Sequence, residues 1–181
     1  MNLQIGRPIT KERRLDKEVR TYDLLDELNI YFERVDHEPA MTIEACKDVE
    51  KVLGATICKN LFLCNTQKTN FYLLVMPGEK KFQTKVVSKL LGVARLSFAP
   101  EEYLLEFLDI TPGSVSIMGL MNDKDKRVRL LVDSELLRDE YFACHPCINT
   151  SSMKIKTEDI FGKYLPAIGV EPTVLDIPQV D

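Results

Sequence analysis

Residues Cys58–Gly78 read CKNLFLCNTQKTNFYLLVMPG. Two apolar runs, Cys58–Cys64 and Phe71–Met76, flank a polar link, and Pro77-Gly78 closes the second run with a strong turn signal. The second run has the apolar density of a strand buried on both faces. With so short a link the two runs are expected to pair as a hairpin.

Upstream, Val19, Tyr22, Leu25 and Leu28 recur at helical spacing, predicting a helix over Glu18–Leu28 that ends near Asn29. Ile30–Val35 reads as a strand. Thr42 precedes a second helix through Leu53, and Gly54 supplies the left-handed residue that stops it. Downstream, Phe82–Leu91 returns to helical period, Pro100-Glu101-Glu102 opens another helix ending near Asp109, and Thr111-Pro112-Gly113 is a turn.

Ser114–Leu120 and Val128–Val132 read as two strands of a second hairpin, joined through the polar link Asn122–Lys126. Thr157–Leu165 reads as a final helix with Thr157 as its cap. Helices interleaved with hairpins predict an α+β fold around a mixed sheet rather than a doubly wound parallel one. The 181 residues fit one domain spanning 1–181, a size that buries roughly 70% of the unfolded surface. No Gly-rich phosphate loop of the dinucleotide or nucleotide-binding kind appears.

Hydrophobic residues make up 45% of the chain and charged residues 29%, the balance of a soluble globular protein. No apolar run follows the basic residues near the N-terminus, so neither a secretory leader nor a membrane span is expected, and the predicted location is cytoplasmic. Five cysteines in a reducing compartment read as buried thiols rather than as a disulfide framework. A net charge of −4 argues against wrapping a long nucleic acid such as DNA, because that affinity comes from cations displacing counterions, but leaves contact with one small end open.

Five features have residue types suited to chemistry. Lys59 lies inside an apolar run, where a long cation is costly unless its head reaches a partner or a pocket; an outward-facing strand lysine is the other account. Asn60 beside it points to the opposite face of a regular strand. Pro112-Gly113-Ser114 is either a plain turn or a loop whose amides approach a ligand. His145 is suited to proton exchange near neutrality or to a structural role. Lys81, Lys85 and Lys89, with Lys80 adjacent, form a stripe that either meets phosphates or is a solvated helix face.

The fifth feature is Cys144-x-x-Cys147. A thiol oxidoreductase needs its first cysteine at a helix N-terminus, and no amphipathic helix follows here. A zinc site needs a second paired motif, which Cys46, Cys58, Cys64 and His37 do not form. No metal and no cofactor are expected.

Lys59-Asn-Leu-Phe-Leu, Pro112-Gly-Ser-Val-Ser followed by Gly119-Leu and Asn122-Asp123, and His145-Pro with Asn149-Thr150 together resemble the successive motifs of the bacterial prolyl-tRNA editing (YbaK/ProRS-associated) family. The resemblance runs from His37-Glu-Pro-Ala through Gly169. It implies a domain around a bent mixed sheet flanked by helices, and hydrolysis of the ester that joins a wrong amino acid to tRNA for proline. The His-Pro-x-x-Asn-Thr signature is more like the alanine-removing branch. On the matching positions the resemblance implies that Lys59, Gly113, Ser114 and His145 serve the reaction, and that Asn60, Gly119, Asn149 and Thr150 bind substrate.

The partner implied is the acceptor end of mischarged tRNA(Pro), with prolyl-tRNA synthetase as a further partner and Lys80, Lys81 and Lys85 as phosphate contacts. Ile117-Met118 stands where relatives often carry proline, and Cys147 occupies the apolar position after His145-Pro146. The competing classes are a non-catalytic aminoacyl-tRNA or synthetase-binding module and a thiol oxidoreductase.

Overall fold

The computed structural model describes residues 1–40 and 42–180. The hairpin expected from Cys58–Gly78 forms: β3 (Lys59–Cys64) runs antiparallel to β4 (Phe71–Met76), with Lys59 opposite Met76 and Cys64 opposite Phe71. All six residues of β4 are buried, and burial of each leucine-sized side chain contributes about 1.5–3 kcal/mol. That strand is the middle of a five-stranded mixed sheet ordered β5 (Ser97–Phe98), β3, β4, β6 (Val128–Asp133) and β9 (Thr173–Leu175). β6 lies parallel to both β4 and β9.

A second, antiparallel sheet is ordered β1 (Leu3–Ile5), β2 (Phe32–Asp36), β8 (Ser151–Lys156) and β7 (Tyr141–Cys144). A parallel bridge between Ile57 and Ala143 links the two sheets. Two sheets joined at that bridge make up the strands of the fold, and the class is α+β. No helix among the described residues is long and apolar enough to cross a membrane.

The helices follow their local signals. In α2 (Ile43–Leu53) the Thr42 side chain accepts the Ala45 N–H at 3.1 Å, and Gly54 closes the helix at φ 74°. α3 spans Thr84–Leu91, and α4 spans Glu101–Leu108 and stops at left-handed Asp109. α1 (Asp16–Glu27) buries Tyr22 and Leu25 of its apolar period, and adds Glu18 and Thr21 to the buried face while Val19 is half-buried. Glu18 is tolerated there because Arg14 pairs with it at 2.9 Å and the Tyr22 hydroxyl donates to it at 2.5 Å.

The second hairpin does not form. Ile117–Asn122 is a 3₁₀ helix, and β6 finds its neighbours in β4 and β9 instead. Two side chains redirect the chain. Ser116 Oγ accepts the Met118 N–H at 3.1 Å and starts the helical turn. Buried Asp123 accepts the N–H groups of Arg127 and Val128 at 3.0 and 2.8 Å, which aims the chain into β6. The final helix comprises α5 (Thr157–Asp159), a wide turn over Ile160–Tyr164 and α6 (Leu165–Ala167). Lys156 rather than Thr157 holds the cap position.

Candidate active site

Lys59 is the first residue of β3, and its half-buried side chain reaches back to donate to the Lys80 carbonyl at 2.6 Å. It lines a recess of about 470 Å³ with Ala40, Thr42, Cys46, Ile57 and Glu79. The Pro77-Gly78 turn lies hard against the strand entry: a Cβ at Gly78 would sit 2.6 Å from the Ile57 carbonyl oxygen. Asn60 donates from Nδ2 to the Cys58 carbonyl at 3.1 Å, and its Oδ1 is buried with no hydrogen-bond partner among the described residues.

His145 follows β7. The Ile57–Ala143 bridge is parallel, so Lys59 and His145 lie two residues beyond it on adjoining segments that run the same way. His145 Nδ1 is 2.8 Å from the Ser151 carbonyl, an acceptor that requires the proton on Nδ1 and leaves Nε2 as an acceptor. Burial lowers the imidazole pKa below its usual value, the neighbouring His37 adds to this, and the Ser151 carbonyl opposes it. The ring is therefore neutral at physiological pH.

The loop after α4 is fastened to this segment, with Ser116 Oγ donating to the His145 carbonyl at 2.6 Å. Gly113 has φ 87°, and a Cβ there would lie 3.6 Å from Asn149 Nδ2, so the loop presents its bare backbone to Asn149. Ser114 is buried, and its N–H is committed to the Thr111 carbonyl at 3.1 Å, which removes that amide from the oxyanion donors available on the loop. Ser114, Asn149 and Thr150 line a cleft of about 190 Å³ with Arg13, Cys147 and Ile148.

Between the lysine recess and this cleft lies a pair of histidines. His37 Nδ1 donates to the Glu38 carbonyl at 2.8 Å, its Nε2 is 2.9 Å from Ser152 Oγ, and its ring centroid is 6.2 Å from that of His145. The His37 N–H donates to the Thr150 carbonyl at 3.0 Å. The preceding Asp36 is clamped by Arg14 and Arg34; burial alone would raise its pKa, but the two guanidinium groups hold it well below the usual carboxylate range. Segment 37–40 thus runs from the histidine pair to the edge of the lysine recess at Ala40. His37, Ser116 and Ser152 were not singled out by the sequence reading as site residues. Two signals mark His37 in the sequence: the scarcity of histidine and its place at the start of the resembling segment His37-Glu-Pro-Ala.

Two expected positions are corrected. Lys80, expected beside the exposed stripe as a phosphate contact, is buried, because its ammonium pairs with Asp133 Oδ2 at 2.8 Å and Glu135 Oε2 at 2.7 Å. Lys81 precedes α3, so the helix itself carries only Lys85 and Lys89, both exposed. Gly119, which the resemblance implies in substrate binding, is buried and close-packed in the 3₁₀ helix: a Cβ would lie 2.4 Å from Ile110 Cδ1 and 3.1 Å from Leu108 Cβ. Gly119→Ala is therefore expected to destabilise the fold by about 1–3 kcal/mol through overpacking. A urea midpoint equal to that of the parent chain would refute this.

The cysteine pair is closed to redox chemistry. Cys144 and Cys147 are buried. Burial drives the Cys144 thiol far above its usual pKa, and pushes Cys147, which accepts from the Thr21 hydroxyl at 3.6 Å, up to about 11. Neither thiol is ionised near neutrality, as a nucleophilic thiolate must be.

Comparison with known proteins gives the family of the chain. A model of the aminoacyl-tRNA editing domain matches residues 37–162. The prolyl-tRNA editing protein ProX of Acetoanaerobium sticklandii is 33% identical over 136 residues, 75% of this chain and 83% of that protein. The mouse prolyl-tRNA synthetase associated domain-containing protein 1 is 31% identical over 156 residues, 84% of this chain and 91% of its own length. The crystal structure of a candidate trans-editing enzyme for prolyl-tRNA synthetase superposes with a TM-score of 0.67 at 16% identity, covering 92% of this chain and 99% of that one, a likeness of fold. The span of the matching model, which holds Lys59, the Gly113 loop and His145 together, shows that this chain belongs to the aminoacyl-tRNA editing domain family.

Proposed function

We propose that this chain is a cytoplasmic trans-editing hydrolase, acting as one unit over residues 1–181, that deacylates mischarged tRNA(Pro) and removes alanine. The observation that carries the reading is the anchored ammonium of Lys59 at the edge of a recess, on a segment running beside the one that bears His145. The relatives' names supply the substrate class, tRNA charged by prolyl-tRNA synthetase.

An aminoacyl ester is already activated, so the protein need only orient it, admit water and stabilise the charge that grows on the carbonyl oxygen. Water adds to the carbonyl carbon, the bond to the ribose oxygen breaks, and the departing oxygen takes a proton; a hydroxyl of the terminal ribose assists that transfer. Lys59 supplies positive charge, and Gly113 offers the unhindered backbone of the loop. Neutral His145, with Asn149 and Thr150 nearby, forms the wall that receives the short side chain, and Asn60 Oδ1 is a buried acceptor in reserve next to Lys59. Lys81 and Lys85 face the phosphates of the acceptor end, and prolyl-tRNA synthetase delivers the substrate.

The recess works as a sieve. One extra methylene changes binding by only about 1–3 kcal/mol, so a second, smaller site must clear what a synthetase lets through. With tRNA(Pro) charged in turn with alanine, cysteine and proline, the chain is expected to release alanine at least about 100-fold faster than proline. Equal release of proline would remove the sieve, and tight binding of alanyl-tRNA(Pro) with no release of alanine would establish a binding module instead.

A further inference from the structure

Lys80 has no part in the reading above, yet it is among the most heavily committed cations in the chain. Its side chain is 4% exposed, and its ammonium reaches Asp133 Oδ2 at 2.8 Å, Glu135 Oε2 at 2.7 Å and the Ile177 carbonyl at 2.8 Å. Three acceptors use all three of its N–H donors. Burial alone would lower the Lys80 pKa, but the two carboxylates outweigh it and hold the value above that of an ordinary lysine. The ammonium is a permanent fixture at physiological pH.

The backbone of the same residue faces the site. The Lys80 N–H donates to the Pro77 carbonyl at 3.2 Å, closing the turn, and the Lys80 carbonyl accepts from Lys59 Nζ at 2.6 Å. Gly78 within that turn is pressed against Ile57, two residues before Lys59. Asp133 ends β6 and in addition accepts the Glu135 N–H at 3.0 Å, while Ile177 lies beyond β9. One turn is therefore tied to the end of the mixed sheet on one side and to the side chain of Lys59 on the other.

We infer that Lys80 is a positioning residue for Lys59: its buried ion cluster with Asp133, Glu135 and the Ile177 carbonyl fixes the main-chain oxygen that aims the Lys59 ammonium. A lysine ammonium rides on a flexible four-carbon stem and rotates freely unless one donor is engaged. With one N–H of Lys59 engaged by a rigid carbonyl, the other two point in set directions. The effect on turnover rests on the proposed function, whereas the tether itself does not.

The test uses the full chain carrying Lys80→Met with Asp133→Asn. This pair of changes removes both buried charges and keeps a side-chain oxygen at position 133 for the Glu135 N–H, which avoids leaving one charge stranded. Two quantities are measured on the folded variant. Acetylation of Lys59 by an amine-reactive ester, followed by mass spectrometry, is expected to run several-fold faster than in the parent, about the factor for losing one hydrogen bond. Hydrolysis of alanyl-tRNA(Pro) is expected to lose about 10- to 100-fold in kcat, with KM little changed, a split that general loosening of the fold does not produce.

Glu135→Gln, at a half-exposed position, is a milder variant that keeps the measurement available should the double variant fail to fold. It is expected to move both quantities in the same direction by less. Parent-like acetylation of Lys59 together with parent-like kcat in a folded variant overturns the inference. If the parent chain itself releases no amino acid, the proposed function fails, and the acetylation measurement still decides the tether.

Discussion

Lys59→Ala is expected to slow hydrolysis of alanyl-tRNA(Pro) by about 10²- to 10³-fold, the usual cost of deleting one group that stabilises a developing oxyanion. The side chain is half-buried, and its hydrogen bond to the Lys80 carbonyl contributes only about 1 kcal/mol net to stability. The melting temperature should therefore shift by no more than about 4 °C for a chain of this size. Loss of rate without loss of fold separates a chemical role from a structural one. Steady-state deacylation and a thermal melt on the same preparation make the comparison, and a variant that hydrolyses at the parent rate removes Lys59 from the reaction.

Asp133→Ala is expected to produce the largest fall in stability. Asp133 is fully buried at the end of β6, one oxygen on Lys80 and the other on the Glu135 N–H. Removing it leaves the buried Lys80 ammonium with half-exposed Glu135 and the Ile177 carbonyl. Breaking a buried ion pair from one side costs about 3–5 kcal/mol, because the remaining charge is kept from water and here retains only the half-exposed Glu135 as counter-ion. For a chain of this length that is a fall in melting temperature on the order of 10 °C. The neutral replacement of both partners should restore most of it, since the penalty comes from the stranded cation rather than from the missing pair. A single variant as stable as the double one would contradict this account.

Such buried pairs are hard to read from sequence. Lys80 and Lys81 are adjacent in the chain and chemically identical, and helical spacing puts Lys81 with Lys85 and Lys89 and leaves Lys80 beside that stripe. Only the arrival of Asp133 from a distant strand separates Lys80 from the stripe. Glu18 is a similar case: the apolar period of α1 marks Val19 and Leu28, yet a carboxylate supplied with Arg14 and the Tyr22 hydroxyl goes inside.

The strand expected over Ser114–Leu120 failed because a short apolar run has no period long enough to tell an extended chain from a tight helix. The Ser116 hydroxyl and the Asp123 carboxylate then settled the matter locally. The strands β7 (Tyr141–Cys144) and β8 (Ser151–Lys156) flank the residues read for chemistry, and the alternation of Met153 and Ile155 with polar residues in β8 is too short a period-2 signal to stand out beside them. Their pairing with each other and with β2 is a long-range matter.

Local chemistry sufficed wherever a few neighbouring residues carry the whole signal. The β3–β4 hairpin, the Thr42 cap and the left-handed stop at Gly54 all stand on contacts that short stretches of chain announce. The α+β class and the family motifs were legible for the same reason. Folding in three dimensions settled what depends on residues remote in the chain: the parallel place of β6, the packing role of Gly119, the His37–Ser152 contact beside His145, and the tether from Asp133 through Lys80 to Lys59. In each of these a polar or bulky group takes its position from a partner that sequence distance conceals, and burial turns that partnership into a requirement, because an unpaired group away from water is too costly to keep.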